Sequence, residues 1–199
     1  MSFPPDAAAA QRLREWLDDE GGLDAVGLDL SGADLTGGDF AESWFTDAKL
    51  VGTKLAEADL YRSDAQGADF TGADLTACSL VRVTLDDAVL RDARLDGADL
   101  VKASLYGVDA SGASCRGAQF MGALLHKVNF CAADLREAVF KENSFQVVLD
   151  EETELGGATG TVLGPVTVVD GATSRELAGA ELEAWIHGKG GRMQVISPR

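Results

Sequence analysis

The sequence predicts an all-β solenoid, on three observations. From Leu30 to Phe145 every fifth residue is leucine or phenylalanine in 21 of 24 pentads, and the exceptions Ala65, Ala110 and Cys115 are still apolar. Two residues earlier stands a small residue, alanine in 14 of the 24, and the residue between is Asp in ten. Gly fills the second place after the central residue ten times, as at Gly32, Gly72 and Gly117. Self-similarity at a fixed period outranks any local propensity.

A period of five suits neither regular element. A helix places apolar residues at i, i+3, i+4 and i+7, and a half-buried strand alternates by two. Within one pentad, Ala58-Asp59-Leu60 or Ala98-Asp99-Leu100 reads inward, outward, inward, which is three residues of strand. The two residues that follow are rich in Gly, Ser, Thr and Asp, all turn formers. Short strand plus tight turn, repeated without slip, makes a chain that corners at constant intervals. Successive coils then pair through their backbones, stacking equivalent side chains at about 4.8 Å.

The elements follow in chain order. Residues 1–25 are expected to hold a capping helix from Asp6 to Asp19, after Pro4-Pro5, with Asp6 as N-cap and Gly21-Gly22 as its stop. Leu13, Trp16 and Leu17 form its apolar face. Residues 26–146 are the repeat region, and 147–199 a C-terminal segment that serves either as a cap or in dimerisation. After Phe145 the period fades, although Leu155 stays in phase. Thr161–Val169 reads as β, interrupted by Gly164-Pro165. Thr173-x-x-Glu176 is a capping-box signal for a helix reaching about His187, with Ala178, Leu182, Trp185 and Ile186 on its apolar face. Gly188–Gly191 ends it, and Met193–Ile196 alternates as a last strand, giving a β-α-β extension. Leu182, Trp185 and Ile186 are the candidate cap or dimer contacts, and a homodimer through this segment is one expectation.

The tandem Ala-Asp-Leu/Phe-x-x array, as at Ala33-Asp34-Leu35, Ala68-Asp69-Phe70 and Ala133-Asp134-Leu135, resembles the pentapeptide repeat family. The Trp-Leu and Gly-Gly pairs before the repeats resemble the entry to the repeats in many of its members. The resemblance implies a right-handed quadrilateral β-helix with four pentads per coil, hence about six coils here. Residues twenty apart then share a column. One inward column reads Phe45, Ala65, Leu85, Leu105, Leu125, Phe145; another reads Leu30, Leu50, Phe70, Leu90, Ala110, Phe130. Phe45 and Phe130 are expected to lean into the room left by the alanines, and Cys115 to border a small void.

Composition points to one soluble domain with a sizeable core. No apolar run approaches the roughly 20 residues of a membrane span. The N-terminus lacks the basic start and apolar stretch of a secretory signal, so the cytoplasm is the expected location. Cys78, Cys115 and Cys131 make no disulfide framework.

No catalytic or metal constellation emerges. Of the two histidines, His126 faces outward and His187 ends a predicted helix. Cys131 lies one pentad after His126, so a Cys-His pair is geometrically conceivable, but nothing supplies an orienting third group or an oxyanion site. A solenoid filled with Leu, Phe and Ala has no hollow for substrate. The sequence therefore predicts a protein that is not an enzyme and takes no cofactor or metal.

The outer surface remains. The chain carries a net charge of −16, concentrated on the N-terminal coils and both termini. Such a field disfavours nucleic acid and favours basic partners. Asp29, Asp39, Asp59, Asp64 and Asp69 form the candidate acidic surface. The family includes rods that imitate duplex DNA on type II topoisomerases and protect gyrase, so the resemblance implies that role as an option. Against it, the Asp before each central residue can serve corner geometry through Asx bonds. The outward column Asp34, Lys54, Asp74, Arg94, Ser114, Asp134 also alternates in sign like local charge pairing. One outward column differs: Ala41, Tyr61, Val81, Val101, Met121, Lys141, beside Glu42, Arg62, Arg82, Lys102. Tyr61, Val81, Val101 and Met121 with Arg62, Arg82 and Lys102 are the candidate partner-binding residues, unless a terminal segment folds over them. The expected function is a non-catalytic acidic rod that binds protein, a DNA-mimicking topoisomerase regulator among the options. The alternatives are an immunity or antitoxin-like protein masking a toxin, and a structural scaffold.

Overall fold

Each pentad folds the same way because its corner closes on itself. The central residue's carbonyl accepts the N–H three residues on, as from Ala33 to Leu30 at 3.1 Å and from Ala73 to Phe70 at 2.9 Å. The second corner residue has positive φ at all 24 corners from Gly27 to Glu142. An i to i+3 bond with positive φ at i+2 is the type II turn. Eleven of these positions are Gly and thirteen are not, Arg62 (φ 58°), Ala77 (55°) and Lys102 (59°) among them.

This computed structural model describes residues 2–18 and 21–196. Parallel bridges join each outward residue to the one twenty places on, as Asp24 to Trp44, Asp29 to Lys49, Asp34 to Lys54 and Asp39 to Asp59. Four such columns make the walls of a four-sided solenoid. The first column starts at Asp24, and the third runs on to Glu154, so the pairing extends past both edges of the 30–145 pattern. Every central residue from Ala25 to Phe145 is at most 1% exposed, Ala65, Ala110 and Cys115 included. Phe45 and Phe130 are buried too; their ring contacts are edge-on to Phe40 at 5.9 Å and to Phe120 at 6.1 Å.

Where the inward place before the centre is polar, the side chain finds a fixed partner. Thr53, Ser63 and Thr153 each donate to the carbonyl 23 residues earlier, at 3.1, 2.7 and 3.0 Å, and the Cys78 thiol does the same at 2.7 Å. Asn143 uses Nδ2 for the carbonyls of Phe120 (2.5 Å) and Ala123 (2.9 Å), which leaves its buried Oδ1 without a partner.

Helix α1 (Ala7–Leu17) lies against the first coil, where Arg12 bonds the Asp24 carbonyl at 3.0 Å. The Asp6 carboxylate accepts the Ala9 N–H at 2.8 Å, as the N-cap reading expects. Ala9 and Leu13 are buried, and Trp16 stacks on Phe40 at 4.9 Å. Leu17 was expected on this face but is 53% exposed; at four residues past Leu13 its place is taken by Trp16, whose larger ring fills the end of the coil. Asp19, the expected end of the helix, lies outside the described residues.

Past Phe145 the corner straightens. Phe145, Val147 and Leu149 are buried in alternation, so the sequence there reads as strand. Strand β1 (Leu124–Asn129) pairs with β2 (Val139–Asp150), and the register drops by one residue between His126 and Val128. A six-residue step from Leu149 to Leu155, in place of five, restores it, which is how Leu155 regains its phase and is fully buried. Then come β3 (Thr159–Leu163), β4 (Val166–Asp170), β5 (Thr173–Leu177), α2 (Gly179–Gly188) and β6 (Arg192–Val195), in the sheet order β5-β4-β2-β3-β6 with β1 on β2. Gly160 sits so close to the Phe140 carbonyl that no side chain fits there.

The capping-box reading at Thr173 is corrected. Thr173–Leu177 pairs antiparallel with β4, and α2 starts behind Ala178, which makes no side-chain cap. The β-hairpin satisfies five residues' backbone groups, more than a single cap would. The extension therefore holds β3, β4 and β5 before its helix rather than a simple β-α-β. Among the described residues no helix is long and apolar enough to cross a membrane.

Candidate protein-binding surface

The Asp that precedes each central residue is held by its own corner. Oδ1 of Asp29, Asp39, Asp59, Asp64 and Asp69 accepts the N–H two residues on, at 3.0, 3.1, 2.8, 3.0 and 2.9 Å. All five candidate acidic residues therefore have a local structural task, the Asx bond expected from the sequence. Such bonds favour the charged form: the Ser31 hydroxyl lowers the Asp29 pKa, and the Thr76 hydroxyl, at 2.6 Å, lowers that of Asp74.

Charge pairing along columns is also present. Lys54 lies 3.9 Å from Asp34, and Arg136 bridges Asp134 at 2.5 Å and Glu154 at 3.0 Å. Arg136 and Asp134 raise and lower one another's pKa accordingly. Exposed pairs of this kind add little to stability because solvent screens them, so they set local order more than overall stability.

Cys131 and His126 stand on successive corners with different partners. His126 stacks on Tyr106 at 5.4 Å with Lys127 bonded to the Tyr106 hydroxyl at 2.9 Å. Burial, then the Asp150 charge, push the Cys131 thiol up to about 11, the opposite of an activated thiolate. His187 is exposed in the last turn of α2. Among the described residues no group of three or more His, Cys, Asp or Glu could hold a metal ion.

The apolar corner column keeps its continuity in three dimensions. The N–H groups of Glu42, Arg62, Arg82 and Lys102 donate to the carbonyls of Tyr61, Val81, Val101 and Met121, at 2.8, 3.0, 3.0 and 3.0 Å. The four apolar residues thus climb the same corner one rung at a time, with Arg62, Arg82 and Lys102 exposed beside them. Met121 is 37% exposed, and the other three are half-buried. Arg62 lies 3.6 Å from Glu42 and over the Tyr61 ring. The terminal helices lie elsewhere: α1 contacts Asp24 and Phe40, and α2 packs on Gly164 and Gly191. Leu182 and Ile186 are fully buried within the chain, while Trp185 is half-buried under Lys189. Tyrosine, valine and methionine at every twentieth position carried this column in the sequence; its degree of exposure was not legible there, because that depends on where the ends dock.

A four-sided parallel β-solenoid with its chemistry on outward corners defines the class. The chain belongs to the pentapeptide repeat family: the family's model, Pentapeptide repeats, matches in eight copies over residues 22–50, 45–80, 53–92, 78–114 and 88–126. Proteins of this family are generally structural or binding proteins. No curated protein matches the chain. Among solved structures it is similar to HetL, a pentapeptide repeat protein involved in heterocyst differentiation regulation from Nostoc sp. strain PCC 7120. The two share 22% identity over 77% of this chain and 83% of that one, with a TM-score of 0.52. A pentapeptide repeat protein of the Arabidopsis thaliana thylakoid lumen shares 29% identity over 50% of this chain and 69% of that one, with a TM-score of 0.49. QnrB1, a plasmid-mediated fluoroquinolone resistance protein, shares 18% over 89% and 91%, with a TM-score of 0.42.

Proposed function

We propose that the protein is a non-catalytic acidic rod that binds another protein through the corner Tyr61-Val81-Val101-Met121 and its neighbours Arg62, Arg82 and Lys102. In this reading the repeats wind right-handed through about six coils, with residues 1–25 and 147–199 closing the ends. The observation that carries it is four apolar residues in unbroken succession on one corner, whereas the exposed Val26, Trp44, Val51, Tyr106 and Leu124 stand among polar neighbours in their own columns. Contiguous exposed apolar surface marks contact sites. The burial of Leu182 and Ile186 within the chain favours a capping role for the C-terminal segment over a dimer contact.

The test is a paired capture from cell extract with wild type and with Val81→Asp plus Val101→Asp. A partner retained by wild type and lost by the double variant, with unchanged far-UV circular dichroism, is the expected result. Equal capture by both proteins would remove the corner from the reading, and unfolding of the variant would place those side chains in the structural core. Identification of the captured protein also separates a toxin from other partners.

A second reading, a DNA mimic acting on gyrase or another type II topoisomerase, is favoured by one column. Asp39, Asp59 and Asp99 stand on one wall that holds no base from Asp39 to Thr159. Gyrase supercoiling with purified protein, with and without a fluoroquinolone, decides it: no effect at micromolar protein rejects mimicry.

A further inference from the structure

The corner column carries charge of opposite sign on its two sides. Arg62, Arg82 and Lys102 follow the apolar residues in the chain and border them on one flank. Asp39, Asp59 and Asp99, two residues before Ala41, Tyr61 and Val101, border them on the other. Among the described residues Arg82 and Lys102 have no acidic partner within 4 Å, unlike Arg62 with Glu42. Asp59 and Asp99 accept the corner N–H with Oδ1 and are half-buried on that flank. An apolar ridge between a basic and an acidic edge is complementary to one side of an amphipathic helix whose own flanks are segregated by charge.

Pitch selects helix over strand. Rungs repeat at about 4.8 Å. A helix laid along the rod rises about 4.5–6 Å between residues three or four apart, so an i, i+3, i+7, i+10 ridge stays within about 1 Å of four successive rungs. Same-side residues of an extended strand recur at about 6.6 Å and lose register by nearly 2 Å at each rung. Neither helix of this chain is free to play the part, since Leu13, Leu182 and Ile186 are already buried.

We propose that this corner docks an amphipathic α-helix of a partner protein, parallel to the rod, acidic toward Arg62, Arg82 and Lys102 and basic toward Asp39, Asp59 and Asp99. The inference rests on the reading of the corner as a contact surface. Three labelled peptides of one composition test it by fluorescence anisotropy with the full chain at 0.15 M salt, where screening limits the long-range effect of the net charge. The first is a stapled helix with a leucine ridge, Glu on one flank and Lys on the other. The second interleaves Glu and Lys on both flanks, and the third alternates apolar and charged residues for an extended form. The segregated helix is expected to bind at least tenfold tighter than the other two. Arg82→Glu with Lys102→Glu should weaken it at least tenfold. Equal affinity for segregated and interleaved helices, or no binding by any peptide, overturns the helix. Tightest binding by the extended peptide overturns it too, yet keeps the corner if Val81→Asp with Val101→Asp abolishes that binding. Binding indifferent to those aspartates sinks the corner itself.

Discussion

Thirteen corners of the repeat region place a residue with a Cβ at φ between 55° and 62°. Left-handed backbone costs an L-residue about 1–2 kcal/mol, partly offset by the greater chain entropy that Gly loses on folding. Ala77 makes the cleanest test, being an exposed residue without a polar side chain at φ 55°. Ala77→Gly is expected to stabilise the protein by roughly 0.5 kcal/mol, and Gly72→Ala to destabilise it by about 1 kcal/mol, both read as shifts in urea midpoint. Asn143 offers a second test. Its orphaned Oδ1 costs about 1–3 kcal/mol, whereas at the equivalent place Thr53 needs only its one bond to the Leu30 carbonyl. Asn143→Thr should therefore raise the melting temperature; a fall would mean that the second bond, to Ala123, outweighs the orphan. Of these residue-scale features the Asx role of aspartate was legible in the sequence. The positive φ at Arg62 or Lys102 was not, since nothing in an arginine or lysine announces it and the neighbouring coils impose it.

The terminal elements show where local signals succeed and fail. Asp6 was read as an N-cap and is one, because the helix it starts has no competing pairing. Thr173 and Glu176 looked like a capping box, yet they lie in β5, where five backbone pairs with β4 outweigh one cap. The candidate contacts Leu182 and Ile186 were found by periodicity, and their burial against the chain's own end could not be, since it depends on β6 returning to pair with β3. At the opposite end, Leu13 is fully buried and Trp16 stacks on Phe40. Leu13→Ala is expected to cost about 2–4 kcal/mol, measured by denaturant unfolding. A cost under 1 kcal/mol would mean that α1 rests on the coil without sealing it.

For the whole molecule, carboxylates set the response to acid. Asp74 and Asp134 have pKa values held below the ordinary one, chiefly by the Thr76 hydroxyl and the Arg136 guanidinium. A group whose pKa is lowered by folding stabilises fully above its unfolded value and loses that contribution as pH falls through the folded one. Stability is therefore expected to be flat from neutral pH down to about 5 and to decline below about 4, followed by thermal melting across that range. A decline that began near pH 6 would point to histidine instead. The fold as a whole was the most legible feature, because a five-residue period admits so few backbone paths. The partner was the least legible, since a corner column tells only the chemistry of its complement.

Because each lap takes twenty residues, the chain's length is quantised. Excising one lap shortens the tower while every wall above the cut still faces its former compass point. Losing a single pentad instead swings all later storeys by a quarter turn, so the greasy corner would split onto two different edges. Evolution can lengthen such a tower freely in whole storeys and hardly at all in fractions of one.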